Sequence, residues 1–322
     1  LAIVLYLAWP LTHLDAYRWT NDEGLHMQEA ALANAGYPLY SETAFNKPPL
    51  LIWMLRLAFQ LGGTNLASAR IAVLCVTLIG FIAAGALARE LWGRWRGVAA
   101  MVVLLALPEL PLRAHVVMAG LPPMSLGLAA TASAVLYQLR ERRAWIILSG
   151  TGFIGALLMH PMQGYWVVPL ALVFLVPNRV IPSYRRLSRI DGTDLLLFGA
   201  PVALATVVTL AAVDQRSFVD WVFQMNYRAT KQIPWYQNWT MLRSWFVRSW
   251  PLIGMTAAGG SLLSLRPRGS RGLLFAAVWW MAAAAMLMVL TPLWDQYLIF
   301  LSFPLAVVSG GGIVAASRQL RE

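Results

Sequence analysis

The sequence predicts an all-α, polytopic transmembrane helical bundle with roughly ten spans. Three observations carry that expectation. Hydrophobic residues make up 59% of the 322-residue chain and charged residues only 12%, with a mean hydropathy of +0.62; a water-soluble domain carries roughly twice that charged fraction. Apolar runs recur at the length a helix needs to cross a ~30 Å hydrocarbon core, about 20 residues at 1.5 Å each. Basic clusters fall at alternate ends of successive runs, the pattern of a positive-inside topology.

The elements follow in order along one integral-membrane domain, 1–322. Leu1–Leu14 reads as the tail of a span, so the N-terminus is expected to be truncated, with the C-terminus left open. A first outer loop, 15–63, holds Thr20-Asn21-Asp22-Glu23, a capping box with Thr20 as N-cap and Glu23 at the third helical position. The helix it opens would run from Asn21 to about Ala35 and stop near Gly36. Asp22, His26 and Glu29 share one face of it by i,i+4 and i,i+3 spacing. Pro48–Leu61 is apolar but too short to span comfortably, about 21 Å. It carries Arg56 and ends at Gly62-Gly63, so it is expected to be an interfacial helix. The remaining spans are Asn65–Ala88, Gly97–Leu112, Val116–Leu139, Ala144–Met159, Gln163–Val176, Asp194–Val213, Trp245–Leu265, Arg271–Leu290 and Leu293–Ala316. A second outer loop, 214–243, is polar and aromatic. The tryptophans mostly mark span ends (Trp92, Trp145, Trp245, Trp294), as an aromatic belt requires.

The net charge of +11 is a topology signal, and nucleic acid is not an expected partner. Fifteen of the 25 basic residues lie in five segments around Arg89, Arg140, Arg185, Arg268 and Arg318. Placed in the cytoplasm, these segments leave the opposite face nearly neutral, and that face carries both long polar loops. Function is therefore expected on the non-cytoplasmic side. Cys75 is the only cysteine, which rules out a disulfide within the chain and cysteine-rich metal sites; it reads as a small packing residue.

Asp22 and Glu23 each have an ordinary reading, as first-turn acids that favour the helix dipole and close the cap. They also have a chemical one. A carboxylate facing a partly desolvated cavity accepts a proton from an acceptor hydroxyl, and Lys47, Arg228 and Lys231 can hold a departing phosphate by charge or simply meet lipid headgroups. Trp235, Tyr236 and Trp239 suit a sugar or lipid groove. His26, His115 and His160 read singly as interfacial histidines, and no metal-ligand spacing joins them. The sequence requires no cofactor and leaves a divalent metal open, with Asp22, Glu23 and His160 as the available ligands.

Asp22-Glu23 at a helix start, then Ala30, Gly36-Tyr37-Pro38 and Lys47-Pro48-Pro49-Leu50-Leu51-Ile52-Trp53 resemble the first outer loop of the glycosyltransferase family 39-like membrane enzymes. These are relatives of protein O-mannosyltransferases and lipid A aminoarabinose transferases. A looser similarity continues through Arg70, Pro161, Gln296-Tyr297 and Pro304. The resemblance implies a GT-C fold. It also implies an inverting transfer of a sugar from a polyprenyl-phosphate donor to a protein, lipid or glycan acceptor, at a site outside the cytoplasm among membrane lipids. It makes Asp22 the general base, Glu23 its acidic neighbour and Lys47 a donor-phosphate contact. Apart from the resemblance, His26, His115, His160, Trp235, Tyr236 and Tyr297 are candidates to line the substrate groove. The pattern departs from the family at Gly120, where a second acid is expected unless Glu109 substitutes, and at Met159-His160-Pro161.

Two rivals remain at the level of sequence. A transporter or flippase of lipid-linked substrates would need ionisable residues near the membrane midplane; the spans show almost none, and Pro122-Pro123, as a helix break, is its best support. A catalytically degenerate family member acting as a scaffold is favoured by Gly120.

Overall fold

The computed structural model describes residues 1–15, 21–181, 190–228, 236–265, 267–289 and 293–319. Thr20, Lys231 and Trp235 lie outside the described residues, and with Thr20 the start of its capping box. The described chain is helical, and its only paired extended segment is an isolated bridge between Leu39 and Thr43.

Helix α1 (Ala2–Thr12) leads to the first loop, which contains α2 (Asn21–Asn34) and α3 (Leu50–Gly62). Gly36, at φ +100°, turns the chain after α2. It adopts the left-handed backbone that a residue without Cβ reaches at least cost. Then come α4 (Leu66–Trp92), α5 (Arg94–Ala106), the short α6 (Glu109–Arg113), α7 (Leu121–Arg140) and α8 (Arg143–Met159). A 3₁₀ turn, Pro161–Trp166, feeds α9 (Val167–Leu175), followed by α10 (Pro177–Val180) and α11 (Gly192–Ala212). In the second loop, α12 (Gln215–Val219) runs into a π-helical turn, Asp220–Met225. The chain closes with α13 (Tyr236–Arg248), α14 (Trp250–Ser264), α15 (Pro267–Val289), a 3₁₀ turn at Asp295–Tyr297 and α16 (Ile299–Gln319).

Four of the described helices are long and apolar enough to cross a membrane: Leu66–Trp92, Gly192–Ala212, Gly269–Val289 and Asp295–Ser317. Of the other runs expected as spans, Val116–Leu139 gives the unbroken 20-residue α7, and the rest are shorter or broken. Gly97–Leu112 breaks between α5 and α6, and Trp245–Leu265 breaks at Ser249 between α13 and α14. Pro122 and Pro123 do not interrupt a helix; they open α7 at its first positions, where a missing N–H costs nothing.

Helix α7 forms the centre, buried along nearly its whole length and packed by α4, α8 and α9. Small residues set the spacing. A Cβ on Gly127 of α7 would come within 2.0 Å of the Trp166 indole nitrogen, and one on Gly310 of α16 within 2.3 Å of the Ala100 backbone nitrogen on α5. Close backbone approach through small residues is how helices associate where lipid removes the hydrophobic drive. Two expectations are corrected here. Trp245 is fully buried in the core rather than part of an aromatic belt, and Cys75 is exposed on α4 rather than packed.

A second, smaller core holds the loops to the bundle. Ala30 of α2, Leu51, Leu55 and Phe59 of α3, Val73 of α4, Val117 and Phe218 are all buried in it. It presses α2 and α3 onto one end of the bundle and fixes the site described next. Gly310→Ala is expected to force α16 from α5 and cost about 1–3 kcal/mol, read as a lowered Tm of the detergent-solubilised protein.

Candidate active site

The two adjacent acids of α2 point to different places, because successive helix positions are about 100° apart. Glu23 is fully buried. Its Oε1 and Oε2 accept from Arg70 Nε at 2.9 Å and Nη2 at 2.8 Å, a bidentate pair, and Oε1 also accepts the Val117 N–H at 3.2 Å. Arg70 Nη1 donates to the carbonyls of His13 at 3.3 Å and Leu14 at 2.7 Å. Expected beside the chemistry, Glu23 is instead a strut. It ties α2 to α4, to the 114–120 segment and, through Arg70, to the end of α1. His115 follows it. It is buried, within electrostatic reach of Arg70 and Glu23, and belongs to this strut rather than to the Asp22 cluster.

Asp22 is only partly buried and lines a groove of about 890 Å³. The groove wall comes from Val103 of α5 and Leu107 just after it, from α14 (Leu252, Met255) and from the Asp295–Tyr297 turn. Its polar end holds Glu109 and Arg113 of α6, Arg248 of α13, Asp295 and Gln296. Gln296 Nε2 donates to Asp22 Oδ2 at 3.1 Å. Gly120 sits against the same turn, a Cβ there lying 3.6 Å from the Gln296 carbonyl oxygen. The position expected to carry a second acid thus borders the turn that bonds to Asp22, while Glu109 shares the groove with Asp22.

Behind Asp22 lies a desolvated polar cluster. His26 Nδ1 faces Glu29 Oε2 at 3.2 Å, and both side chains are buried. Burial pushes Glu29 up to about 8, with Lys47 opposing and Asp22 assisting. Burial, helped by the Lys47 charge, holds His26 down to about 3. At neutral pH the proton therefore sits on the Glu29 carboxyl, which donates to Nδ1 of a neutral imidazole; the imidazole's Nε2 is buried with no hydrogen-bond partner among the described residues. Burial lowers Lys47 from its ordinary value, against the charges of Asp22 and Glu29. Tyr40 Oη donates to the Lys47 carbonyl at 2.7 Å and fixes the backbone there. His160 Nε2 lies 3.2 Å from Tyr297 Oη and within electrostatic reach of Lys47 and His26.

Tertiary structure thus gathers Asp22, His26, Lys47, His160 and Tyr297 of the expected residues. It leaves Tyr236 exposed at the start of α13. Arg228 is exposed, bonded to Gln224 at 3.4 Å, and lines a separate cavity with Arg216 and Trp221. That second loop is nonetheless docked on the first. Trp221 Nε1 donates to the Tyr40 carbonyl at 3.1 Å and Asn226 Nδ2 to the Asn46 carbonyl at 2.8 Å, next to Lys47. The sequence reading did not assign Arg113, Arg248, Asp295 or Gln296. Gln296 had one signal, its place beside Tyr297 in the looser similarity. Among the described residues no group of three or more His, Cys, Asp or Glu side chains is placed to hold a metal ion.

Residues 46–190 match the family model described as dolichyl-phosphate-mannose-protein mannosyltransferase. The match starts at Asn46-Lys47-Pro48-Pro49 and lies downstream of Asp22. No curated protein matches the sequence. Among solved structures, ArnT from Cupriavidus metallidurans bound to undecaprenyl phosphate superposes with a TM-score of 0.76 at 17% identity, over 98% of this chain and 59% of that one. Its apo state gives 0.67 at 18% identity over the same shares. The archaeal oligosaccharyltransferase AglB from Archaeoglobus fulgidus, in complex with an inhibitory peptide and a dolichol-phosphate, gives 0.60 at 12% identity, over 99% of this chain and 51% of that one. The chain has the GT-C fold. The family resemblance read from the first loop is borne out, and this GT-C chain spans between half and three-fifths of the length of the solved proteins it matches.

Two outcomes follow from the geometry. Arg70→Ala strands the Glu23 carboxylate in the interior and is expected to cost about 3–5 kcal/mol, read by thermal unfolding in detergent. Glu29, raised to about 8, binds a proton in the fold that the unfolded chain loses from about pH 4.5 upward, so stability falls as pH rises through that window. His26, lowered to about 3, acts oppositely up to its unfolded value of about 6.5. Above about pH 6.5 only the Glu29 contribution remains. Glu29→Gln is therefore expected to raise Tm at pH 8 relative to wild type by more than it does at pH 5, and an equal change at both would contradict the assignment.

Proposed function

We propose that this chain is a membrane glycosyltransferase that moves a sugar from a polyprenyl-phosphate carrier to a hydroxyl of a protein, lipid or glycan acceptor on the non-cytoplasmic face. One observation carries the reading. Asp22, held at one oxygen by Gln296, stands where a largely apolar groove meets a desolvated cluster that contains Lys47. The GT-C fold and the family match over 46–190 support it.

In this reading the acceptor hydroxyl binds at Asp22 with its oxygen facing the anomeric carbon of the donor sugar. As the new C–O bond forms, the hydroxyl proton passes to the Asp22 carboxylate. The bond from the anomeric carbon to the phosphate oxygen breaks with its electron pair staying on the phosphate. Attack from the opposite face inverts the anomeric centre. Lys47 offsets the charge on the released polyprenyl phosphate; Arg228, expected to share that role, lines a separate cavity. A phosphate is a good leaving group, so positioning and charge stabilisation in a water-poor site carry most of the rate. Burial disfavours a charged Lys47 on its own, and an anionic donor supplies the counter-charge that restores it.

Two findings weaken the rivals. The prolines that would break a transporter helix open α7 instead, and the groove borders the partly buried Asp22, which a scaffold would not need. Asp22→Asn is expected to lower transfer by about 10²–10⁴-fold while donor binding persists, measured with radiolabelled polyprenyl-phosphate sugars and envelope acceptors. Wild-type turnover in that variant rejects Asp22 as the base. Substrate flux across liposomes without covalent transfer rejects the enzyme.

A further inference from the structure

The three residues of the 3₁₀ turn that precedes α16 each take a different polar partner. Asp295 is gripped by Arg113 Nη2 at 2.8 Å and by Arg248 Nη2 on its other oxygen. Gln296 donates to Asp22 Oδ2 at 3.1 Å. Tyr297 Oη meets His160 Nε2 at 3.2 Å. We propose that this turn is a positioning device for the base: Gln296 sets the orientation of the Asp22 carboxylate, and the Arg113–Asp295–Arg248 clasp sets Gln296.

The physical case rests on what each contact can and cannot do. The two arginines come from α6 and α13, far apart in sequence, and converge on one carboxylate. Asp295 offsets one of the two positive charges, and Glu109, within electrostatic reach of both arginines, is the second acid at this end of the groove. The Arg248 and Asp295 side chains are 52% and 39% exposed and that of Arg113 24%, and ion pairs so open to solvent add little stability. What the clasp does fix is geometry. With both oxygens of Asp295 engaged, the next residue in the turn has little freedom, and its amide reaches the one carboxylate that fronts the groove. A base held at Oδ2 offers Oδ1 to an acceptor hydroxyl. Catalysis by proximity is sensitive to such aim, since a displacement of about 1 Å costs about 10²-fold. Among the described residues no hydrogen bond joins Asp295, Arg113 or Arg248 to Asp22, and their bonded route to it is Gln296; a purely through-space effect would move the Asp22 band in opposite directions when Asp295 and Arg248 lose their charges.

The inference rests on the proposed function, and its test has an arm that does not. The full chain in detergent is compared as wild type, Gln296→Leu, Asp295→Ala, the milder Arg248→Gln, and the Gln296→Leu/Asp295→Ala double variant. The first readout is the Asp22 carboxylate stretch, isolated by infrared difference against Asp22→Asn. It should shift in the same direction in Gln296→Leu, Asp295→Ala and Arg248→Gln. An unmoved band in both clasp variants overturns the proposal, even in a preparation that transfers no sugar. The second readout is transfer itself. Turnover should fall about 10–100-fold in Gln296→Leu and Asp295→Ala with the donor KM within about twofold of wild type, and the double variant should be no slower than the worse single one. Additive losses, or a lower Tm with unchanged kcat, make the turn merely structural and refute the assignment. If wild type transfers nothing while the infrared band responds, the enzyme reading fails and the clasp stands.

Discussion

The ion pair between Glu23 and Arg70 is the constraint on which the rest of this end of the molecule depends. A carboxylate with no solvent exposure is tolerable only when its charge and lone pairs are matched. Here two guanidinium nitrogens and the Val117 N–H do so. Arg70 Nη1 also donates to the carbonyls of His13 and Leu14 that follow α1. One buried pair thus joins four pieces of chain, and because Asp22 precedes Glu23, it also fixes where Asp22 can point.

From that anchor the site is built by desolvation. The small core of α2, α3 and the 114–120 segment removes water from His26, Glu29 and Lys47, so the proton of the His26–Glu29 pair settles on the carboxyl and the lysine is left wanting an anion. Asp22, one residue from the strut, keeps access to the groove. A neutral acid, a neutral imidazole and a desolvated lysine thus stand behind a solvent-accessible carboxylate, and the proposed function places the donor phosphate beside that lysine.

The second loop and the closing turn contribute geometry more than charge. Trp221 and Asn226 dock the π-helical turn on backbone carbonyls at Tyr40 and Asn46, bracketing Lys47 without touching its ammonium group. Across the groove, Asp295, Gln296 and Tyr297 bond to Arg113, Arg248, Asp22 and His160. The Trp221–Tyr40, Asn226–Asn46 and Gln296–Asp22 bonds each join residues more than 150 positions apart, and each acts on the backbone or the aim of a residue in the first loop.

The sequence by itself determined the helical membrane class, the helix from Asn21 ended at Gly36, the short apolar helix after Lys47-Pro48-Pro49, and the likeness to GT-C enzymes. Each is written in local order, as hydrophobic run length, a proline or glycine at a boundary, or a motif in contiguous residues. It also put Asp22, His26 and Glu29 on one face, because helical phase is local. It could not separate the duties of Asp22 and Glu23, since that depends on Arg70, 47 residues away, entering the interior to meet one of them. Nor could it find Arg113, Arg248 and Gln296, whose spacing carries no periodicity. Tertiary packing alone decided those, because burial and pairing, not residue type, determine whether a charged side chain braces the fold or faces a substrate.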